Sequence, residues 1–254
     1  MILTLLACST SEPGIGGGGQ DTSFDYVATS PELQGQDAAA RAQSLLDAGL
    51  PAGATLVQSW TDIVDTYADA QCPERVDYSM LDAPFGCASS TGAYFSGMTG
   101  LKHVGNSIEL VCDAYVVTPD GERFECGGEI IQLVDPSGRG RWTLMVGTFG
   151  WMSQPLQSGG AYSAALRIEA RTDGTLVLNG GLGHSGLAIN FEALEWRGEV
   201  RSGALSVHSD EGWYRSVLGP AGCGSWVFEA GGAVGQGCVE LEPAIQAWLT
   251  GVGL

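Results

Sequence analysis

The segment Gly181-Leu182-Gly183-His184-Ser185-Gly186 touches two chemical motifs at once. Its glycines match the Gly-x-Gly-x-x-Gly spacing of a dinucleotide-binding turn, and a strand-like run, Thr175 to Asn179, precedes it. That chemistry requires a helix next, because the helix N-terminal amides take the pyrophosphate. The next residues are instead Leu187-Ala188-Ile189-Asn190-Phe191-Glu192, which alternate apolar and polar types as a strand does. The segment therefore reads as a glycine-rich β-turn, and no cofactor is expected. Ser185 beside His184 invites a hydrolase reading, but the Gly-x-Ser-x-Gly elbow would need a glycine where Leu187 stands. The other histidines are His103 and His208, and nothing in the sequence joins any of the three to a serine. Asp62, Asp65 and Asp69 fall near one helical face; calcium sites use loop oxygens around one ion, so a solvated face is expected instead. Glu192 and Glu195 have the residue type of a glycosidase pair, yet among 29 acids some close pair is inevitable. No catalytic residue, metal ligand or cofactor site is assigned. The aromatics Trp142, Phe149 and Trp151 on one strand, and Trp213-Tyr214 after a turn, could bind sugars or lipids if exposed; they read first as core, which buries large area.

The seven cysteines carry more information. Cys72, Cys87, Cys112, Cys126, Cys223 and Cys238 form an even set, separated pairwise by 15, 14 and 15 residues. Without a Cys-x-x-Cys or a histidine at ligand spacing, zinc is not indicated. Disulfides are, and the sequential pairing Cys72–Cys87, Cys112–Cys126, Cys223–Cys238 is expected out of 15 arrangements available to six cysteines. Each loop of this length restricts the unfolded chain by about 3 kcal/mol. Placing Thr118 opposite Glu122 puts Cys126 opposite Ala114. Cys112 and Cys126 then share a face diagonally, and a bulge or a shifted register is expected to bring them together.

The seventh cysteine, Cys8, closes the run Leu5-Leu6-Ala7-Cys8. This Leu-x-Ala-Cys run resembles the lipobox of bacterial lipoproteins, whose signal peptidase cuts before the Cys and whose Cys sulfur receives a diacylglycerol. The resemblance covers about eight residues. The adjoining stretch supports it: Ser9 to Ser30 is rich in Ser, Thr, Gly, Glu, Asp, Gln and Pro, with Gly16 to Gly19 consecutive. Such a composition makes a solvated tether. The residues ahead of Cys8 include no Lys or Arg and are shorter than a full leader, so residues 1–7 are expected to be the end of a signal that starts upstream of Met1. The resemblance implies lipidation at Cys8 and anchoring in the bacterial cell envelope. Ser9 is not the aspartate that retains many lipoproteins at the inner membrane, so the outer membrane is expected.

Net charge is −18, with Lys102 the only lysine. That surface repels nucleic acid and anionic membrane faces, so membrane contact should come from the lipid. No run approaches the ~18 apolar residues of a transmembrane helix.

Residues 31–254 are expected to form one disulfide-stapled α+β domain after an 8–30 tether. Ser30-Pro31-Glu32 or Asp37 begins a helix that continues through Ala38 to Ala48 and stops at Gly49-Leu50-Pro51. A second helix, about Ala54 to Ala70, places Leu56, Trp60, Ile63, Val64 and Tyr67 on one stripe, giving an N-terminal helical hairpin. From about Ser107 the period changes to two. Pro119-Asp120-Gly121, Pro136-Ser137-Gly138, Thr172-Asp173-Gly174 and Asp210-Glu211-Gly212 read as three-residue hairpin loops. They punctuate a curved antiparallel meander: Ile108 to Thr118, Arg123 to Asp135, Arg139 to Trp151, Tyr162 to Arg171, Thr175 to Asn179, Leu187 to Trp196, Ala204 to His208, Trp213 to Leu218 and Trp226 to Glu229. Pro243 to Thr250 is a short closing helix. With Asp135 opposite Arg139, Ile130, Gln132 and Val134 share a face with Trp142, Leu144 and Val146, and both faces of that hairpin are apolar. The Trp60 stripe is its expected cover.

The function expected is a non-enzymatic binding, scaffolding or assembly role for an apolar or protein ligand at the membrane surface. A lipid or lipoprotein carrier, with an apolar cavity between helices and sheet, is the alternative; a secreted hydrolase is third.

Overall fold

Helix α1 (Gly35–Ala54) is built largely from small residues, and they decide how the chain is arranged around it. Ala38, Ala39, Ala42, Leu45, Leu46, Gly49, Leu50 and Gly53 recur at helical spacing and are buried. The computed structural model describes residues 31–76, 80–104, 107–134, 140–152 and 162–251. At 103–104, 107–108, 130–134, 140–146 and 148–152 it describes the backbone alone. After α1 come α2 (Leu56–Tyr67), β1 (Glu74–Arg75), β2 (Met80–Ala88), β3 (Tyr94–Val104), β4 (Ser107–Val117), β5 (Arg123–Val134) and β6 (Gly140–Met152). The chain continues through β7 (Tyr162–Arg171), β8 (Leu176–His184), β9 (Leu187–Trp196), β10 (Val200–Ser209), β11 (Gly212–Val217), β12 (Cys223–Phe228), β13 (Ala233–Cys238) and α3 (Leu241–Gly251). The fold is α+β and mostly sheet: an N-terminal helix pair, an antiparallel meander in which every strand pairs with its sequence neighbour, and a short C-terminal helix.

The sheet curls. α1 touches β6, β8, β9, β10, β12 and β13 in addition to α3, so strands far apart in the meander face one helix. Glycines inside strands supply part of the bending. Gly180 has φ 97° and Gly203 φ 108°, and the β8–β9 and β9–β10 registers shift beside them. These are bulges, which strengthen local twist. The interior holds Leu166, Ile168, Leu182, Ile189, Phe191, Leu205, Val207, Tyr214, Trp226 and Trp248, all buried with the α1 stripe in one cluster. Full burial of each such leucine or isoleucine contributes about 1.5–3 kcal/mol.

α1 departs from the expected bounds at both ends. It starts at Gly35 with Gln34 as N-cap, and Asp37 reaches back to accept the Gln34 N–H at 3.3 Å. It does not stop at Gly49-Leu50-Pro51 but runs on to Ala54. The reason is tertiary packing. A Cβ on Gly49 would lie 2.3 Å from Leu182 Cδ2, so glycine is present for close approach and not as a helix stop. Leu50 is fully buried, and Pro51 gives up one helical hydrogen bond while its carbonyl accepts both the N–H and the Oγ1 of Thr55. Thr55 alone separates the two helices, whose mutual contact is slight.

At the other end of α1, backbone meets backbone. A Cβ on Gly35 would lie 2.5 Å from the Gly235 carbonyl oxygen, and one on Gly237 would lie 2.1 Å from that of Gly35. The Gln43 amide clasps the chain entering α3, donating to the Glu240 carbonyl at 3.0 Å and accepting its N–H at 2.6 Å.

The hairpin chemistry holds at Pro119-Asp120-Gly121 and Thr172-Asp173-Gly174, where Gly121 and Gly174 have φ 84° and 83°. Asp210-Glu211-Gly212 differs: Ser209 pairs with Gly212, so the loop is Asp210-Glu211 alone. Pro136-Ser137-Gly138 lies outside the described residues, but its flanks correct the expected register. Val134 pairs with Arg141, Leu133 with Trp142 and Ile131 with Leu144. The connection is one residue longer than the loop assumed, and one residue of slip exchanges the faces of one strand relative to the other. Trp60 is buried, its ring 6.1 Å from Phe124 of β5. Trp60 therefore meets β5 at Phe124, ahead of the Glu129–Trp151 hairpin; the expected contact of the stripe with that hairpin falls on apolar side chains outside those described.

Candidate functional site

Alternation along β7 to β11 assigns the two sheet faces. Ala164, Leu166 and Ile168 are buried while Ser163, Ala165 and Arg167 are exposed, as the period of two requires. The dipeptide Trp213-Tyr214 is split the same way. Tyr214 is fully buried, donating to Glu211 Oε2 at 2.5 Å and accepting the Leu33 N–H at 3.3 Å. Trp213 faces outward and is half-buried.

On this outer face the register aligns two neighbouring rungs. Ser163, Gly183, Ala188, His208 and Trp213 lie opposite one another in succession, and so do Ala165, Gly181, Asn190, Ser206 and Arg215. Side chains are small on β7 and β8, whereas His208 on β10 and Trp213 and Arg215 on β11 are large. The step between them is an open depression of about 570 Å³ lined by Ser163, Ala165, Asn190, Glu192, Ser206 and Trp213 over a Gly181 and Gly183 floor.

Glu192 and its partners are held in fixed positions. Glu192 accepts a bidentate pair of bonds from Arg215, Nε to Oε1 at 2.9 Å and Nη2 to Oε2 at 2.7 Å, and a third from Ser206 Oγ at 3.1 Å. The Arg215 guanidinium holds the Glu192 carboxyl below its ordinary range, and Glu192 in turn raises Arg215. Trp213 meets the ring of His208 at 5.1 Å and 60°, edge to face, which fixes the indole. Asn190 makes no side-chain hydrogen bond among the described residues.

The residues singled out by the sequence are distributed elsewhere. Cys8 lies outside the described residues. The other six cysteines are joined as Cys72–Cys87, Cys112–Cys126 and Cys223–Cys238. Cys126 stands opposite Ala114, and the β4–β5 register is unshifted, so Cys112 and Cys126 bond diagonally with Cα atoms 5.6 Å apart and without the expected bulge. The glycine-rich segment is the β8–β9 hairpin: Ser185 (φ 51°) and Gly186 (φ 82°) make a two-residue turn that leads into a strand. His184 stacks on Tyr162 at 4.6 Å, and its buried Nδ1 has no hydrogen-bond partner. Burial raises the Tyr162 phenol. Glu195 bonds to Arg171 and Ser202. Among the described residues, no group of three or more His, Cys, Asp or Glu could hold a metal. The side chains of His103, Trp142, Phe149 and Trp151 are not among those described.

Asp69 is past the end of α2 and acts as a clasp. Its carboxylate accepts N–H bonds from Ser90 at 2.5 Å, Gln71 at 2.8 Å and Cys72 at 2.9 Å. These bonds, Ser90 first, lower its pKa from 3.8 to about 2.

The groove was not legible as a site in the sequence. Its floor and walls come from strands joined only by register, and the one local signal was Trp213 on a strand whose next residue is apolar. Phe85 was also missed. Between the pairs Ala83–Gly97 and Cys87–Phe95 the β2 strand carries an excess of residues, and Phe85 projects from this bulge almost fully exposed, at 97%. No family model, curated protein or solved structure matches this chain.

Proposed function

We propose that this chain is a bacterial cell-envelope lipoprotein, anchored through Cys8 at the outer membrane, whose folded part is a non-enzymatic binding module. The observation that carries the binding role is the outer-face groove, where a paired carboxylate, Glu192, an unpartnered amide, Asn190, and a fixed tryptophan, Trp213, line one depression. The anchor is supported by Leu5-Leu6-Ala7-Cys8 and the polar stretch after it. Three bonded cysteine pairs support folding in an oxidising compartment. The carrier alternative draws no support from the described interior around α1, where buried side chains meet the helix. The test is fractionation of the chain expressed with its complete leader. Wild type should partition into detergent with the membrane, and Cys8→Ser should appear in the soluble fraction. Membrane association unchanged by Cys8→Ser would overturn the anchoring.

A further inference from the structure

We propose that the groove across β7 to β11 binds a neutral oligosaccharide. This names a ligand class for the binding module above and rests on that reading. Charge is the first argument. The chain carries −18, which opposes anionic ligands, nucleic acid included. Along the groove, however, the Glu192 charge is cancelled by Arg215 beside it, and Ser163, Asn190, Ser206 and Trp213 are uncharged. An anionic ligand meets an electrostatic penalty there and a neutral one does not.

Hydrogen-bonding chemistry narrows the class. Asn190 offers an amide with two donors and an acceptor, none of them used within the described protein. Arg215 uses Nε and Nη2 on Glu192, and Nη1 has no protein acceptor among the described residues. The ion pair fixes Glu192 and Arg215 before any ligand arrives, so little of their rotamer freedom is lost on binding. A ligand that both donates and accepts at several adjacent positions fits this set, and a ring of hydroxyls does so. Trp213 adds the second half of sugar recognition. It is a half-buried indole braced by His208, and its apolar surface suits the C–H face of a pyranose. The glycine floor lets a flat ring approach the backbone.

Shape separates an oligomer from a monosaccharide. The depression is about 570 Å³ and open rather than enclosed. Such a groove can hold one ring at Trp213 while the neighbouring units continue outward. An extended peptide would instead be expected to add to a free sheet edge, and the edges lie at β1 and β13, away from this face.

The test uses the purified folded chain on a printed array of neutral and anionic oligosaccharides, followed by titration of any retained glycan against Trp fluorescence. The expected result is retention of neutral glycans, weakened by on the order of tenfold or more in Trp213→Ala and in Asn190→Ala. Val217→Ala, also on the outer face but outside the groove, should bind as wild type does. Thermal melting of each variant shows whether it is folded, and Asn190→Ala keeps the test valid if Trp213→Ala is not. Retention of no glycan, of anionic glycans alone, or of neutral glycans equally by both folded groove variants would overturn the proposal. The array is read independently of Cys8, so its failure leaves the fractionation test of anchoring intact.

Discussion

Asp69 gives the residue scale its clearest pH signature. Its carboxylate is held ionised by three backbone N–H groups, with a pKa lowered from 3.8 to about 2. A depressed carboxyl contributes stability that is complete above its unfolded value and lost as pH falls through the folded one. Between pH 3.8 and about 2, wild type should therefore lose stability that Asp69→Asn has already lost. Urea midpoints at neutral pH and in that window check this: the variant should be weaker at neutral pH, and the gap should narrow on acidification. At Phe85 the opposite holds. A side chain 97% exposed contributes no core packing, and Phe85→Ser should change stability by no more than about 0.5 kcal/mol in the same assay. Residue chemistry was legible where it is local. Turn glycines such as Gly121 and Gly174 announce themselves by type and place. The Asp69 clasp depends in part on Ser90, which a distant strand turn presents to it, so its spacing in the sequence could not reveal it.

At the scale of elements, strong alternation made β7 and β9 readable to the residue, because one face is buried and the other wet. β1, β2, β3 and β13 escaped, and β2 and β13 show physical reasons. β2 contains Pro84 and Gly86 within its bulge, which interrupts the pattern. β13 is glycine-rich because the backbone of α1 lies against it, so a feature that reads as a loop signal is a packing requirement. The same logic misdirected the end of α1, where Gly49 and Pro51 look like a stop but Gly49 lies against Leu182 and Tyr162. Gly237→Ala tests it. The added methyl would meet the Gly35 carbonyl oxygen at 2.1 Å, and backbone cannot move as a flexible side chain does. A loss of about 1–3 kcal/mol is expected in urea unfolding; an unchanged midpoint would show that α1 does not pack there.

At the scale of the whole molecule, the described fold is a sheet curled around one helix, stapled at three places, with an ordered polar groove on the surface facing away from that helix. The sequence conveyed the class, the helix pair and the meander, since these arise from periodicity. It did not convey the groove, which exists only once five strands are in register. The proposal adds the part the fold does not supply, a location: an anchor at Cys8 that holds this surface near the membrane. The most direct test is the mass of the N-terminal peptide of the mature protein, isolated from membranes after expression with its complete leader. The expected peptide begins at Cys8 and carries a diacylglyceryl group on its sulfur. A peptide that retains residues ahead of Cys8, or an unmodified Cys8 thiol, would contradict it.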